Sequence, residues 1–485
     1  MQAKYLGFDL STTALSVGVR SEEGEEGFAS VPIKGATLWH GQPAFDLDFI
    51  PGMMELVFNK LLQLGWEFKK NGALSFSVRQ HDMVLLNAFG DPIAPALSWQ
   101  CNVAVKEVRY INDRPHLVSV VGKVEERFIL PKLMWALGQD RSLNSSISMV
   151  MATGDYIAFR LTGKPTLSSS DAMSNGLLSK VDKKNADSVF LACHLDPKWF
   201  PPVENSCKVV RILDRINSVD PWFSVCCLLN GWKVVSSLGD NHAGAVGCGL
   251  NSDQEIVISA GTSGTVVRMA HPQDRRLGKT ATFEYYDEEL LLLMLARCAS
   301  WYEDFASEYH PGKSLKRIDE DLLHSFKNCG YLPLRRVKHK KQGDELAYES
   351  LSSSFSPAQQ TANVQASIAL ELLLLLKKMM EEVTEPEAEI KKVILTGGLS
   401  KSLFFQEVLR VGVGMLQNDL KLYISAHEGA LAHKAAVLGA LINAMVGDQG
   451  GNVQEKIGEL CPVSEIPPRD YISEYVAIFL KDHLM

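Results

Sequence analysis

The chain carries nine cysteines, Cys101, Cys193, Cys207, Cys226, Cys227, Cys248, Cys298, Cys329 and Cys461, an odd count with no Cys-x-x-Cys pair among them. That excludes a disulfide framework or a zinc ribbon as the organising principle of the fold. The thiols read as reduced and packed like small apolar residues, which places the protein in a reducing, cytoplasmic compartment. Long apolar runs are missing too. One long stretch, residues 368–376, is interrupted by Glu371 and followed by Lys377 and Lys378, far short of the ~20 residues that a membrane span takes. It reads as a buried helix, and no membrane partner is expected. Basic residues are outnumbered, 49 Lys and Arg against 57 Asp and Glu for a net charge of -8, so no surface for tracking nucleic acid is expected. Residues 1–5 run straight into an apolar strand pattern at 6–10, without a basic-then-apolar leader, and export is not expected.

What is present is ample apolar material, 46% of 485 residues, enough for two or more compact units at ~100–200 residues each. Two segments share one local pattern. Residues 5–19 and residues 255–267 each alternate like a strand, break at a small hydroxyl-rich turn and resume as a second strand. Each is predicted to be a β-hairpin with a polar tip. A repeat this far apart points to two related domains, 1–247 and 248–485, rather than to a solenoid of short period. Helical periodicity at 49–64, 127–137, 363–380 and 402–411, with apolar strands at 74–78 and 393–396, makes the class mixed α/β. The basic run 335–342 reads as a mobile surface loop, in its plainest form a solvated face.

Chemistry-bearing residues gather at the punctuation. The tips offer Ser11, Thr12 and Thr13 in one hairpin and Thr262, Ser263 and Gly264 in the other, hydroxyl and N–H donors suited to phosphate oxygens. Asp9 lies inside the first hairpin, where a lone carboxylate among apolar residues costs several kcal/mol unless it is paired. A magnesium ion held through water would compensate, and so would capping of its own turn. Gly239-Asp240-Asn241 opens a small-residue stretch at a strand-to-helix corner, where Asp240 is either a helix cap or a base able to take the proton of a hydroxyl. Arg79-Gln80-His81-Asp82 follows the strand 74–78, at the kind of strand end where α/β proteins bind ligands. Gln80 and His81 suit sugar hydroxyls, although a lone histidine is as readily structural. Gly397-Gly398 stands between a strand and a helix, where backbone can approach a flat ligand closely. Together these are the parts that phosphoryl transfer from ATP to an alcohol requires.

In this order the motifs resemble those of the FGGY carbohydrate kinases, and within them the xylulokinase-like branch, from Gly7 to about Leu441. Phe8-Asp9-Leu-Ser-Thr-Thr13 is similar to the family's first phosphate hairpin, which implies magnesium at Asp9. Gln80-His81 resembles the element that contacts the sugar, and Pro131-Lys-Leu-Met-Trp135 a PKLLW segment. Asp155-Tyr156 through Leu161-Thr-Gly163 to Ser170-Asp171 resembles a DYLxxxLTG…SD stretch. Asp240-Asn241 falls on a GDN motif, implying Asp240 as base and Asn241 as sugar ligand. Ala260-Gly261-Thr262-Ser263 resembles the second phosphate hairpin, and Thr396-Gly397-Gly398 with Ser402 the adenosine motif. The resemblance implies two duplicated ribonuclease-H-like domains of the actin and hexokinase type, with an interdomain cleft where ATP and a small sugar, a ketose such as D-xylulose, meet. Homodimers are common in such families.

Three departures bear on the substrate. Trp99-Gln-Cys-Asn102 stands where the family has Trp-x-Asp followed by an arginine, Asp82 replaces a glycine, and a GER-containing loop gives way to the basic run. Asp82 is a candidate for the acidic role vacated at Cys101. The alternatives are a kinase of another ketose or polyol (ribulose, sedoheptulose, glycerol), a chaperone-like or actin-like ATPase, or a catalytically weak sugar-responsive ATP-binding protein.

Overall fold

The computed structural model describes residues 1–484 except 215–219, 271–280, 287, 296, 330–333, 343–344, 350, 352–353 and 382–388. The chain divides into two compact units. The first comprises residues 1–247, 283–289 and 428–460, the second residues 248–282, 290–427 and 461–485. The second half of the chain is thus not one continuous unit, because the helix Ala435–Gln449 packs on the N-terminal sheet.

In the first unit, Gln2–Leu10 and Ala14–Arg20 form the first hairpin, in register from Tyr5 opposite Arg20 to Leu10 opposite Leu15. Its strands are buried on both faces, which explains why apolar residues nearly fill them. On one face Phe8 stacks on Phe76 at 5.1 Å and meets Phe58 of the helix Phe49–Gln63 edge-on at 5.8 Å. On the other face Gly7 is obligatory, since a Cβ there would lie 2.3 Å from the carbonyl oxygen of Val437. The strand Glu67–Val78 runs parallel to Gln2–Leu10, with Asp9 beside Ser77 and Leu10 beside Val78. Leu238–Gly239 runs parallel to the same strand, beside Ser77 and Val78. Three strands therefore end together, and whatever follows each one emerges at the same edge of the sheet. The same sheet also takes in Glu26–Pro32 beside Ala14–Arg20, and Lys233–Val235 beside Glu67–Val78 with Val209–Ile212 at its edge. A smaller sheet holds Ala36–Trp39, Gln42–Phe45, Ala96–Leu97, Met83–Leu86 and Met149–Ala152 in spatial order, and Leu167–Ser168 pairs with Val203–Glu204.

The second unit repeats the logic. Glu255–Ala260 and Gly264–Ala270 make the second hairpin, and Lys392–Thr396 lies parallel to its first strand with Thr396 beside Ser259. Its core gathers around the helix Pro357–Met380, which a Ser356–Gln359 capping box starts and whose residues Ile368, Leu372 and Leu376 are fully buried. The apolar run 368–376 is thus a buried helix, and among the described residues no helix is long and apolar enough to cross a membrane. The basic run differs from its expectation. Lys338–Gln342 pairs antiparallel with Glu345–Glu349 as a β-hairpin. The approach to it is docked on the long helix, with Asn363 Oδ1 accepting from Arg335 N at 2.8 Å, Ser367 Oγ accepting from Val337 N at 2.8 Å, and Arg336 paired with Glu371 at 2.7 Å. Side-chain acceptors on that helix satisfy a backbone that a free loop would leave to water. None of the eight described cysteines is in a disulfide, and six of them are buried.

Candidate active site

In the first unit the shared sheet edge gathers Asp9, Gln80, Asp240 and Asn241. Asp9 Oδ1 accepts a hydrogen bond from Ser77 Oγ at 2.9 Å, one register step across the parallel pair. Burial pushes its pKa up to about 7, with the nearby charge of Asp240 adding to the rise and Ser77 and Arg79 opposing it. Asp9 does not cap its own turn. Ser11 does that, its Oγ accepting from Ala14 N at 3.1 Å and donating to Ala14 O at 3.0 Å, which leaves Thr12 and Thr13 exposed at the tip.

Asp240 is the first residue of the helix Asp240–Gly247, immediately after the strand Leu238–Gly239. Burial raises its pKa to about 6, against backbone N–H groups of Gln80 and Asn241 and the positive charge of Arg127, while the charge of Asp82 adds to the rise. Asn241 Nδ2 donates to Gln80 Oε1 at 2.6 Å, and Gln80 Nε2 is buried with no partner among the described residues. The small residues of this stretch are explained by packing within the unit. A Cβ on Gly247 would lie 1.8 Å from Ala435 O, and one on Gly439 would lie 1.9 Å from Ala243 O, so the helices Asp240–Gly247 and Ala435–Gln449 touch backbone to backbone.

His81 faces inward. Its backbone has φ +75°, its Nδ1 meets Asn175 Oδ1 at 3.0 Å, and its ring stacks on Phe128 at 4.9 Å. Burial holds its pKa well below the usual imidazole range, and the charges of Arg127 and Lys132 push the same way. Asp82 is not an open acidic group. Its Oδ2 accepts from Arg79 Nε at 2.7 Å, its Oδ1 from Trp99 N at 2.8 Å, and the residue is fully buried. It cannot replace an acid at Cys101, itself buried in the core, because both its oxygens are engaged. Lys132, to which its spacing assigns no role, is fully buried and donates from Nζ to the carbonyls of His81, Leu97 and Ser98. The signal for it was a lysine inside an otherwise apolar helical turn, Ile129–Gln139.

In the second unit, Thr262 O accepts from Cys298 N at 3.0 Å and Gly261 O from Ala299 N at 2.7 Å, stapling the tip that includes Ser263 to the helix Ala299–Tyr309. Gly397 has φ +93°, and a Cβ there would lie 2.4 Å from the carbonyl carbon of Ala260. Gly398 and Ser402 line a cavity of about 620 Å³ together with Tyr302, Glu303, Asp319 and Leu323. Ser402 caps the helix Leu403–Leu416 by accepting from Phe405 N at 3.3 Å, and it donates to Gln365 Oε1 at 2.8 Å. Gln365 Nε2 in turn donates to Asp319 Oδ1 at 2.6 Å, where Tyr302 also donates at 3.0 Å. The cavity wall is thus held by a continuous polar chain. Of the residues expected to contact a nucleotide, Ser11, Thr12 and Thr13 stand in the first unit; in the second, Gly261, Thr262 and Ser263 form the hairpin tip, Gly398 and Ser402 line the cavity, and Gly397 precedes it in the turn.

Residues 4–247 match the model of the FGGY family of carbohydrate kinases, N-terminal domain. The chain is similar to the xylulose kinase of Staphylococcus xylosus, 26% identical over 284 residues that cover 56% of each protein. It is also similar to that of Escherichia coli K12, 25% identical over 264 residues, 54% of this chain and 53% of the relative. The matches span about half the length of these curated relatives. A solved xylulose kinase from Lactobacillus acidophilus superposes with a TM-score of 0.81 at 14% identity, covering 99% of this chain and 96% of that one. Glycerol kinase from Plasmodium falciparum superposes at 0.76 with 11% identity over 100% and 99%. At these identities the structural likeness establishes the two-domain α/β fold. The family match covers half of the residues, and the chain belongs to the FGGY family of carbohydrate kinases.

Proposed function

We propose that the protein transfers the terminal phosphoryl group of ATP to a hydroxyl of a small sugar, a ketose such as D-xylulose, in a reducing, cytoplasmic setting. The observation that carries this reading is the sheet edge on which Asp9, Asp240 and the Gln80–Asn241 amide pair stand together. The first unit is then the sugar-binding domain and the second the nucleotide-binding domain.

With a pKa of about 6, Asp240 is largely ionised at neutral pH yet basic enough to accept a proton, the condition under which a general base contributes ~10²- to 10⁴-fold. The sugar hydroxyl gives its proton to Asp240 while its oxygen bonds to the γ phosphorus and the bond to the leaving ADP oxygen breaks. Gln80 and Asn241 orient the sugar, and the buried His81 shapes the wall behind them. Thr12, Thr13, Gly261, Thr262 and Ser263 offer N–H groups and hydroxyls to phosphate oxygens, while Ser11, whose N–H and hydroxyl both donate to Ala14 O, holds the first tip in shape; Gly398 and Ser402 line the nucleoside pocket, and Gly397 makes the turn that leads into them. Magnesium fits Asp9, where the nearby carboxylate of Asp240 raises the local need for a cation. It would supply charge neutralisation at the β and γ phosphates. Among the described residues no group of three or more His, Cys, Asp and Glu converges as a metal cluster.

A coupled ADP-release assay across ketoses and polyols tests the reading. Stimulation by D-xylulose is expected. Stimulation by ribulose, sedoheptulose or glycerol instead moves the substrate within the class, and ADP release indifferent to every sugar overturns the kinase reading in favour of an ATPase or a binding protein.

A further inference from the structure

Behind the Gly239–Asp240 corner lies a polar network that the proposed chemistry does not use. Asp155 and Asp171 are 4% and 1% exposed, and neither is paired with a lysine or arginine among the described residues. Ser168 joins them, its N–H donating to Asp155 Oδ1 at 3.0 Å and its Oγ to Asp171 Oδ2 at 3.2 Å. Ser237, just before the strand Leu238–Gly239, joins them again, its Oγ donating to Asp155 Oδ1 at 2.9 Å and to Asp171 Oδ2 at 3.5 Å. Asp171 Oδ1 is buried without a hydrogen-bond partner among the described residues. Between the two aspartates in the motif, Ser170 Oγ accepts from Gly239 N at 3.1 Å and meets His242 Nδ1 at 3.1 Å. The network therefore grips residues 237, 239 and 242, on both sides of Asp240.

Two buried carboxyls that share hydrogen-bond donors and lack a cation cannot both be ionised without a large desolvation and repulsion cost. One must hold a proton, and the pair then titrates as a unit. Resting on the kinase reading above, we infer that Asp155 and Asp171 are positioning residues: a carboxyl pair holding one proton and one charge that clamps Ser237 and Ser168 and thereby fixes where Asp240 stands. The charge of Asp240 acts on Asp171, as does that of Asp155, and burial of both carboxyls pushes their pKa values up. The titratable groups facing the pair are Asp240 and, through Ser170, His242.

An asparagine can accept the serine hydrogen bonds and mimics a protonated carboxyl, whereas an alanine can do neither. D155A and D171A are expected to lose at least ~30-fold in kcat with sugar KM changed less than ~3-fold. D155N and D171N, which each still leave one carboxylate in the pair, are expected to recover kcat to within ~10-fold of the natural protein. The double variant D155N/D171N removes the pair's charge, so the acid limb of its pH–rate profile should move to lower pH. The inference is overturned if the asparagine variants are as inactive as the alanine ones, if the alanine variants keep full kcat, or if the acid limb of the double variant does not move. Should the alanine variants fail to fold, the asparagine variants alone decide. The proton itself is checked without turnover. A group with a raised folded-state pKa loses stability as pH rises through that value, so the natural protein's Tm should fall more between pH 5 and pH 8 than that of D155N/D171N. Equal slopes sink the shared proton even if no sugar stimulates ADP release, whereas sugar-independent ADP release by the natural protein sinks the kinase reading alone.

Discussion

Asn241 donates to Gln80 across 2.6 Å although 161 residues separate them in the chain. The bond exists because Leu238–Gly239 and Glu67–Val78 run parallel and end together, so the residues just after each strand meet. Gly239 permits it. A Cβ there would lie 2.1 Å from Gln80 Nε2, leaving the glutamine no place beside the corner.

Three substitutions should then share one signature. Q80A and N241A are each expected to raise sugar KM about tenfold, the loss of one or two hydrogen bonds of ~1 kcal/mol or more, with ATP KM little changed. G239A should do the same by displacing Gln80 rather than deleting it. Initial-rate kinetics with each substrate varied in turn make the check. An increase in ATP KM of the same size would place the pair away from the sugar.

D240N should remove the base while keeping the backbone geometry of the corner. Turnover is expected to drop by at least ~10²-fold, with the far-ultraviolet circular dichroism unchanged. In the natural protein the base is active when ionised, so kcat/KM should fall as pH drops through about 6. The residual activity of D240N should lack that limb, and persistence of the limb would assign it to another group.

G397A meets both a left-handed φ of +93° and the backbone of Ala260 at 2.4 Å. Neither can give way as a flexible side chain would. Destabilisation of more than ~2 kcal/mol is expected, along with weaker ATP binding, measured by chemical denaturation and by titration calorimetry. G414A makes a control, since nothing lies within 4 Å of a Cβ at that position and its φ is ordinary.

Much of this was legible in the sequence, and the reason is local. Both hairpins announce themselves by alternation broken at a hydroxyl-rich tip, and the Gly-Asp-Asn and Gly-Gly turns by small residues between periodic runs. What stayed hidden depends on direction or distance. Gln80 and His81 are chain neighbours, yet a backbone φ of +75° at His81 turns its ring onto Phe128, and spacing does not encode that turn. The second half could not be divided correctly from periodicity, because the docking of Ala435–Gln449 on the first hairpin shows only in glycines such as Gly7 and Gly18, which leave room for it. The hold of Ser237 on Asp155, 82 residues away, leaves no trace in either segment alone.

Lys132 was the least legible of all, since a lysine at helical spacing ordinarily reads as solvated. Here it holds the His81 carbonyl, and with it the turn that carries Gln80, against the carbonyls of Leu97 and Ser98. Removing the donor in K132M takes the lysine away from the buried His81 and Leu97 carbonyls, each worth ~1–3 kcal/mol, whereas Ser98 O keeps its bond from Cys101 N at 3.1 Å; the loss is partly offset because a buried charge also disappears. A net loss of about 2–4 kcal/mol is expected, with sugar KM raised and ATP KM little changed. The pH dependence carries the sign. Burial lowers the lysine pKa to about 8 from an ordinary 10.5, so between those values the unfolded chain binds a proton that the folded one does not, and stability of the natural protein rises with pH. The gap to K132M in urea denaturation should therefore widen from pH 8 towards pH 10. A gap that stays constant would mean that Lys132 titrates normally and is not the buried anchor its three carbonyl contacts describe.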